Sequence, residues 1–501
     1  MPVACDRLTT LDRQFLIYES KAAHMHVAGN SIFEAGPLRR EDGGLDIGRI
    51  RAYVESRLER IPRYRQIVTY TPFGQPIWVD DPHFNLDYHV RHTSLPKPGG
   101  DAQLKALCGR IFSQALDRTK PLWEIWVVEG VEGGNEFAFI SKIHHAMVDG
   151  VSSVDLLEVL LTQEPVREFT PAAPWEPRPG PSAREMAVDD VRTLVRAPLR
   201  LLGQAPWLIK GLLQAESEVR AAVRGLADLT FKTLRRPAET PLNKRIGPHR
   251  RFDWLTLDLG EMKAVRKALG GSINDVVLAT VTGAVRRFLE YRGVKPEGIE
   301  FRVMAPVSVR RPDEKGALGN RVAAWMVSLP IGERDPRKRL ASLQKTTERL
   351  KVEKNALGAE LLTQMAGWAP ATLLSLGARI SWRNLPFNMV VTNVPGPQKP
   401  VYLLGAKMLA DYGLVPIPDY TGLGIVLFSY EGKLTWGLNA DWDVMPDLDV
   451  FARFVESAFA ELRDLARPAG VPAQEKVAEA KPVEAPPSNP PAEPQPAAVT
   501  H

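Results

Sequence analysis

Two of the nine histidines in this 501-residue chain stand side by side, in His144-His145-Ala146-Met147-Val148-Asp149-Gly150. A run of β-branched and aromatic residues precedes the pair, and Val151-Ser152-Ser153 follows it, opening a helix. The pair therefore belongs at the end of a buried strand. Imidazoles placed there have three uses. They can be core groups satisfied by hydrogen bonds. They can bind a metal, because His145 and Asp149 are four apart and could share a face. Zinc, however, wants three or four ligands, and no neighbouring Cys, His or carboxylate cluster supplies the rest, so no metal is expected. They can act as a general base, for which a side chain of pKa ~6.5 suits neutral pH. Ser141, Ser152 and Ser153 lack the G-x-S-x-G setting of an activated nucleophile. Cys108 falls in a helical pattern, where packing rather than reactivity is expected.

The elements that must position this loop can be read from the pattern. Glu124–Glu129 and Phe137–Ile143 read as two strands joined by the turn Gly133-Gly134-Asn135, and Asp155–Leu161 reads as a helix. Residues 51–60 read as a helix ended by Ile61-Pro62. Further on, Phe301–Val309, Val322–Leu329, Gly424–Tyr430 and Leu434–Asn439 read as strands, while Asn274–Leu289 and Leu448–Leu465 have helical periodicity. Between the halves, Pro165, Pro171, Pro174, Pro177, Pro179 and Pro181 exclude a regular helix or central strand. These features predict two mixed α/β units, 1–164 and 251–467, joined by a proline-rich and helical connector, 165–250. Residues 468–501 hold nine prolines and almost nothing apolar, and a disordered tail is expected there.

A hydrophobic fraction of 44% and a charged fraction of 25% are ordinary for a globular protein and exclude wholesale disorder. Two cysteines, Cys5 and Cys108, cannot build a disulfide framework. The N-terminal residues lack the apolar core of a secretory signal, and no uncharged apolar run approaches the roughly 20 residues of a spanning helix. The net charge of +5 is mild and gives no reason to expect a nucleic-acid partner. It is also unevenly distributed. Residues 191–251 carry thirteen Lys/Arg against four acids, which is +9 and leaves −4 for the rest. Leu194, Leu199, Leu202, Trp207, Leu208 and Leu212 recur there at helical spacing between the cations. Such a basic amphipathic segment reads either as a membrane-surface element or as an interdomain helix pair with a solvated face.

The H-H-x-x-x-D-G loop resembles the motif of the coenzyme A-dependent acyltransferase superfamily, which includes chloramphenicol acetyltransferase and peptide-synthetase condensation domains. Other blocks narrow the resemblance to the bacterial wax ester synthase/diacylglycerol acyltransferase family. Those blocks are Leu11-Asp12-Arg13-Gln14-Phe15-Leu16 with Met25-His26-Val27-Ala28, Pro121-Leu122-Trp123-Glu124, and Asn274-Asp275-Val276-Val277. Pro306-Val307-Ser308-Val309-Arg310 with Gly319-Asn320, and Asn393-Val394-Pro395-Gly396-Pro397 with Pro400-Val401-Tyr402, complete the set. The match runs from about Leu8 to Asp464. Ala28 departs from the usual Gly, and the tail is extra.

The resemblance implies a two-domain, chloramphenicol-acetyltransferase-like α/β fold with the active site in a channel between the halves. It implies that His145 is the general base, that His144 helps set the loop, and that Asp149 forms a structural ion pair, as a tight loop before a glycine also requires. It offers Asn274 as an oxyanion or positioning residue; as plain sequence, Asn274-Asp275 reads equally as a helix N-cap. The co-substrate is then acyl-CoA, with no bound cofactor, and the acceptor is diacylglycerol or a long-chain alcohol. The expected location is cytoplasmic, at the inner face of the cell membrane or on lipid droplets. Two other readings remain at this level: a catalytically idle lipid-surface paralogue, against which His145 and Asp149 both speak by their presence, and an acyltransferase for another hydroxyl acceptor.

Overall fold

A computed structural model describes residues 6–147, 156–193, 195, 238–308, 322–353 and 385–467. Asp149, Gly319-Asn320, most of the basic segment and the tail 468–501 lie outside these described residues.

The first half is built on a six-stranded sheet of order β12-β13-β2-β7-β6-β5, in which β12 (Tyr402–Leu403) and β13 (Ala406–Leu414) come from late in the chain. Its own strands are β2 (His26–Glu34), β5 (Val90–Ser94), β6 (Trp123–Val131) and β7 (Glu136–His144). The predicted β6–β7 hairpin is present, turning through Glu132–Gly134, where Gly133 and Gly134 have positive φ. A small sheet, β1 (Asp6–Arg7), β4 (Pro76–Asp80) and β3 (Gln66–Tyr70), lies beside it in the order β1-β4-β3. One face of the main sheet, with Phe33, Phe137, Phe139 and Ile125, packs on α2 (Ile47–Arg57) through Ile50, Tyr53 and Val54. The helices α1 (Thr10–Tyr18) and α3 (Leu86–His89) flank it. The opposite face, with Ile32, Ala138 and Ile140, packs on α4 (Asp101–Phe112). The predicted helix after the histidine loop is seen as α5 (Leu156–Leu160).

No helix or strand forms between residues 163 and 182, as the prolines require, yet the stretch is pinned along its length. Phe169 lies edge-on to Tyr53, and the Arg65 guanidinium covers the ring of Trp175. Arg178 donates to both oxygens of Asp80 at 2.8 and 2.9 Å, which holds that carboxyl below the usual carboxylate range. A helix, α6 (residues 183–193), follows, and Arg7 clamps it through Asp189 and Asp190.

The second sheet has the order β10-β9-β11-β14-β15-β8. Its strands are β8 (Arg250–Asp258), β9 (Phe301–Ser308), β10 (Val322–Leu329), β11 (Met389–Pro395), β14 (Leu423–Tyr430) and β15 (Lys433–Asp441). Helices α7 (Leu259–Leu269), α8 (Ile273–Tyr291), α9 (Pro336–Glu353) and α10 (Leu448–Ala466) cover it and share one core, which includes Val276, Leu343, Trp436 and Phe451. No single helix among the described residues is long and apolar enough to cross a membrane. The bent pair α7–α8 passes only when both are counted together, and its apolar residues line this core.

Two features join the halves. After β11 the chain crosses back, and β12 (Tyr402–Leu403) and β13 (Ala406–Leu414) add to the first sheet, β13 pairing antiparallel with β2. In addition, α4 lies directly on β8, sharing a core with Phe252 and Trp254. A Cβ on Gly109 would come within 2.9 Å of the Arg250 carbonyl, so only glycine permits this approach.

Candidate active site

The histidine pair is held by the strands that flank it. His144 is the last residue of β7 and pairs with His26 of β2. Its backbone N–H donates to Leu122 O at 2.9 Å, and that of His145 donates to Met25 O at 2.8 Å. The Pro121-Leu122-Trp123 and Met25-His26 blocks thus meet at the loop, and His145–Met147 then turn as one short 3-10 helix.

The two imidazoles are placed differently. His144 is fully buried, and its Nδ1 accepts the Ala146 N–H at 3.1 Å. The proton of the neutral ring is therefore on Nε2, which faces Glu19 at 3.7 Å. Burial pulls its pKa below the ordinary value, so the ring is neutral at pH 7. His145 is only half-buried, and its ring stacks on Phe15 of α1 with centroids 3.9 Å apart and planes 19° apart. α1 is fixed at its start by a capping box between Thr9 and Asp12.

Sequence reasoning missed Glu19, the residue that closes α1. Its carboxylate accepts from Arg118 at 2.6 and 2.8 Å and from the Met25 N–H at 3.3 Å, so it steadies both His144 and the residue that holds His145. Burial alone would raise its pKa, but His144 and Arg118 outweigh burial and lower it to about 2. The sequence gives a signal only in the acid just past the apolar run Phe15–Tyr18 that ends the helix.

Around this loop lies a shell of buried polar groups. Lys142 has no exposed surface; its Nζ donates to the carbonyls of Gln114 (3.0 Å) and Ile111 (3.3 Å) and faces Glu124 at 3.4 Å. Burial lowers its pKa despite Glu124. His24 meets Ser113 O at 3.0 Å and stacks loosely with His26, and burial pushes both below the ordinary range. His89 stacks on Trp123 and donates from Nδ1 to its carbonyl at 2.8 Å; burial brings it down to about 4.

Asn274 belongs to the second half. It is not an N-cap: Ser272 caps α8 through a box with Asp275, and Asn274 is already inside the first turn. Gly270 and Gly271, both at positive φ, end α7 and bring Ser272 to the start of α8. The exposed Asn274 side chain accepts through Oδ1 from Asn393 Nδ2 at 2.7 Å, which joins two of the sequence blocks. Cys108 is buried in α4, where burial pushes its thiol up and makes it unreactive. Among the described residues, no three His, Cys, Asp or Glu side chains are grouped to hold a metal.

These observations agree with comparison to known proteins. The wax ester synthase/diacylglycerol acyltransferase catalytic-domain profile matches residues 8–277, and the family's C-terminal-domain profile matches residues 318–463. A putative diacylglycerol O-acyltransferase of Mycobacterium tuberculosis is 32% identical over 92% of this chain and 90% of its own length. A probable diacylglycerol O-acyltransferase of the same species is 30% identical over 91% and 96%. The solved structure of a wax ester synthase/diacylglycerol acyltransferase from Marinobacter aquaeolei superposes with a TM-score of 0.66 at 26% identity, covering 92% of this chain and 99% of that one. The first condensation domain of the calcium-dependent antibiotic synthetase shares the fold, at 15% identity and a TM-score of 0.56, over 93% and 98%. With both profiles, relatives of near-full length and the two-sheet fold in agreement, the chain belongs to the wax ester synthase/diacylglycerol acyltransferase family.

Proposed function

We propose that the protein is an O-acyltransferase that moves a long-chain acyl group from acyl-CoA to diacylglycerol, forming triacylglycerol, and also accepts long-chain alcohols to form wax esters. The observation that carries this reading is the asymmetry of the histidine pair. His144 is buried and committed inward, whereas His145 is half-buried, with its ring held in one orientation by Phe15.

An alcohol attacks a thioester poorly without losing its proton. His145 takes the hydroxyl proton as the oxygen bonds to the thioester carbon, and a tetrahedral oxyanion forms. Collapse breaks the carbon–sulfur bond, and the departing CoA thiolate recovers the proton from the imidazolium, giving ester and free CoA. Losing one pre-placed oxyanion donor typically costs ~10²–10³ in rate. Asn274 is our assignment for that donor, because its bond from Asn393 uses Oδ1 and orients its Nδ2 hydrogens. Asp149 we assign to holding the loop. A diacylglycerol acceptor lives in a lipid phase, which places the enzyme at the inner membrane face or a lipid-droplet surface.

The test offers labelled palmitoyl-CoA with diacylglycerol and with hexadecanol, separately, to the wild type and to His145→Ala. The wild type should form both esters, and the variant should lose ~10²–10⁴-fold in turnover with an unchanged melting curve. Near-normal turnover by the folded variant would overturn the role of His145.

A further inference from the structure

We propose that α6 and the tip of the β3–β4 hairpin form the face by which this protein docks on an anionic phospholipid bilayer. Nine large apolar side chains stand exposed among the described residues, and five of them gather here. They are Tyr70 and Phe73 at the hairpin, 54% and 56% exposed, and Val188, Val191 and Val195 at the helix, 42%, 48% and 57% exposed. A concentration of this kind marks an interaction site rather than ordinary surface scatter.

The hairpin tip and the helix are in direct contact. The Phe73 N–H donates to Asp190 at 3.3 Å, which seats the hairpin tip against the helix. Arg7 holds Asp189 and Asp190 at 2.6 and 2.8 Å, so the acidic side of the helix is turned inward and neutralised. At about 100° per residue, Val188, Val191 and Val195 fall within roughly 60° of one another on the other side. Arg184 and Arg192 share that side, with Glu185 as its one acid, and all three are exposed. An apolar stripe flanked by arginines, with an aromatic beside it, is the composition of an interfacial element.

Charge selects the partner. Arg184 and Arg192 flank the apolar stripe, and each cation near an anionic leaflet adds attraction that salt screens. The inference rests on the acyltransferase reading for its motive, since a lipid acceptor reaches the enzyme only from such a phase.

Flotation of the full chain tests it, with vesicles of phosphatidylcholine alone and of phosphatidylcholine mixed with phosphatidylglycerol. The wild type should float with the mixed vesicles and progressively less as salt is added. A triple variant, Phe73→Ser with Val188→Ser and Val191→Ser, should lose at least about tenfold in partitioning with its melting unchanged, because the three side chains are already exposed. Arg184→Glu with Arg192→Glu should lose the preference for the mixed vesicles. Equal flotation of the wild type and the serine variant would overturn the proposal. So would a wild-type dimer that the serine variant splits into monomers without a change in flotation, since the face would then seat a second copy. Turnover of a soluble short-chain alcohol in detergent, run in parallel, separates the two ideas. Failure there counts against the acyltransferase reading, and failure to float counts against the docking face alone.

Discussion

His144 and His145 are adjacent in sequence and unlike in circumstance, and the difference comes from distant residues. Adjacency of a scarce residue type made the histidine pair stand out in the sequence, whereas Asn274 was marked only by the family resemblance. Phe15, Glu19 and Lys142 were not legible, because their value lies in contacts that no local pattern encodes: Phe15 reaches His145 across half a domain, and Glu19 reaches Arg118 from another loop. If Phe15 holds the imaginary axis of attack by stacking, Phe15→Leu should lower kcat about threefold to tenfold with little change in KM, and Phe15→Tyr should restore it. Steady-state kinetics on both variants decide this. The buried histidines also set an acid limit. His89 has its folded pKa near 4, below the ordinary ~6.5, so the unfolded chain binds more protons between those values. Stability is therefore lost as pH falls through that window, by on the order of 3 kcal/mol for this group. His89→Asn, which keeps a donor for the Trp123 carbonyl, should flatten the difference between urea midpoints measured near pH 7 and near pH 4. Glu19 acts lower down: its folded pKa of about 2 stabilises the protein above its ordinary range, and that stabilisation fades as pH drops toward 2.

At the scale of elements, periodicity served well where an element buries one face. The β6–β7 hairpin, α8, α10 and the β14–β15 hairpin were all readable, because alternation and helical spacing are what a half-buried element needs. Of the two readings of Asn274, the N-cap one falls, although Asn and Asp are good caps in isolation. The Ser272…Asp275 box, two residues earlier, satisfies two backbone donors at once and wins. Also hidden was the closeness with which elements cross. Gly413 of β13 lies against Gly437 of β15, and a Cβ on Gly437 would run into the Gly413 carbonyl. Gly437→Ala should therefore destabilise the protein by about 3 kcal/mol, read as a lower denaturant midpoint, although alanine is otherwise the mildest of changes.

At the scale of the molecule, composition foretold two α/β units and a proline-rich crossing. The boundaries 1–164, 165–250, 251–467 and 468–501 remain our proposed division. What composition could not show is that the crossing is strapped down by Tyr53, Arg65 and Asp80, or that residues 402–414 return to the first sheet. Prolines forbid regular structure but say nothing about which surface an irregular chain follows. The returning strands have a consequence for synthesis. The ribosome finishes β7 at His144, but β13, the neighbour that covers the edge of β2, ends at Leu414. At ordinary elongation rates the nascent first half waits on the order of tens of seconds with an open, apolar-faced edge. Such an edge recruits other strands, so the nascent chain should engage chaperones throughout that interval. A fragment released before residue 402 should aggregate on its own and should become soluble when a peptide spanning residues 400–416 is supplied during refolding.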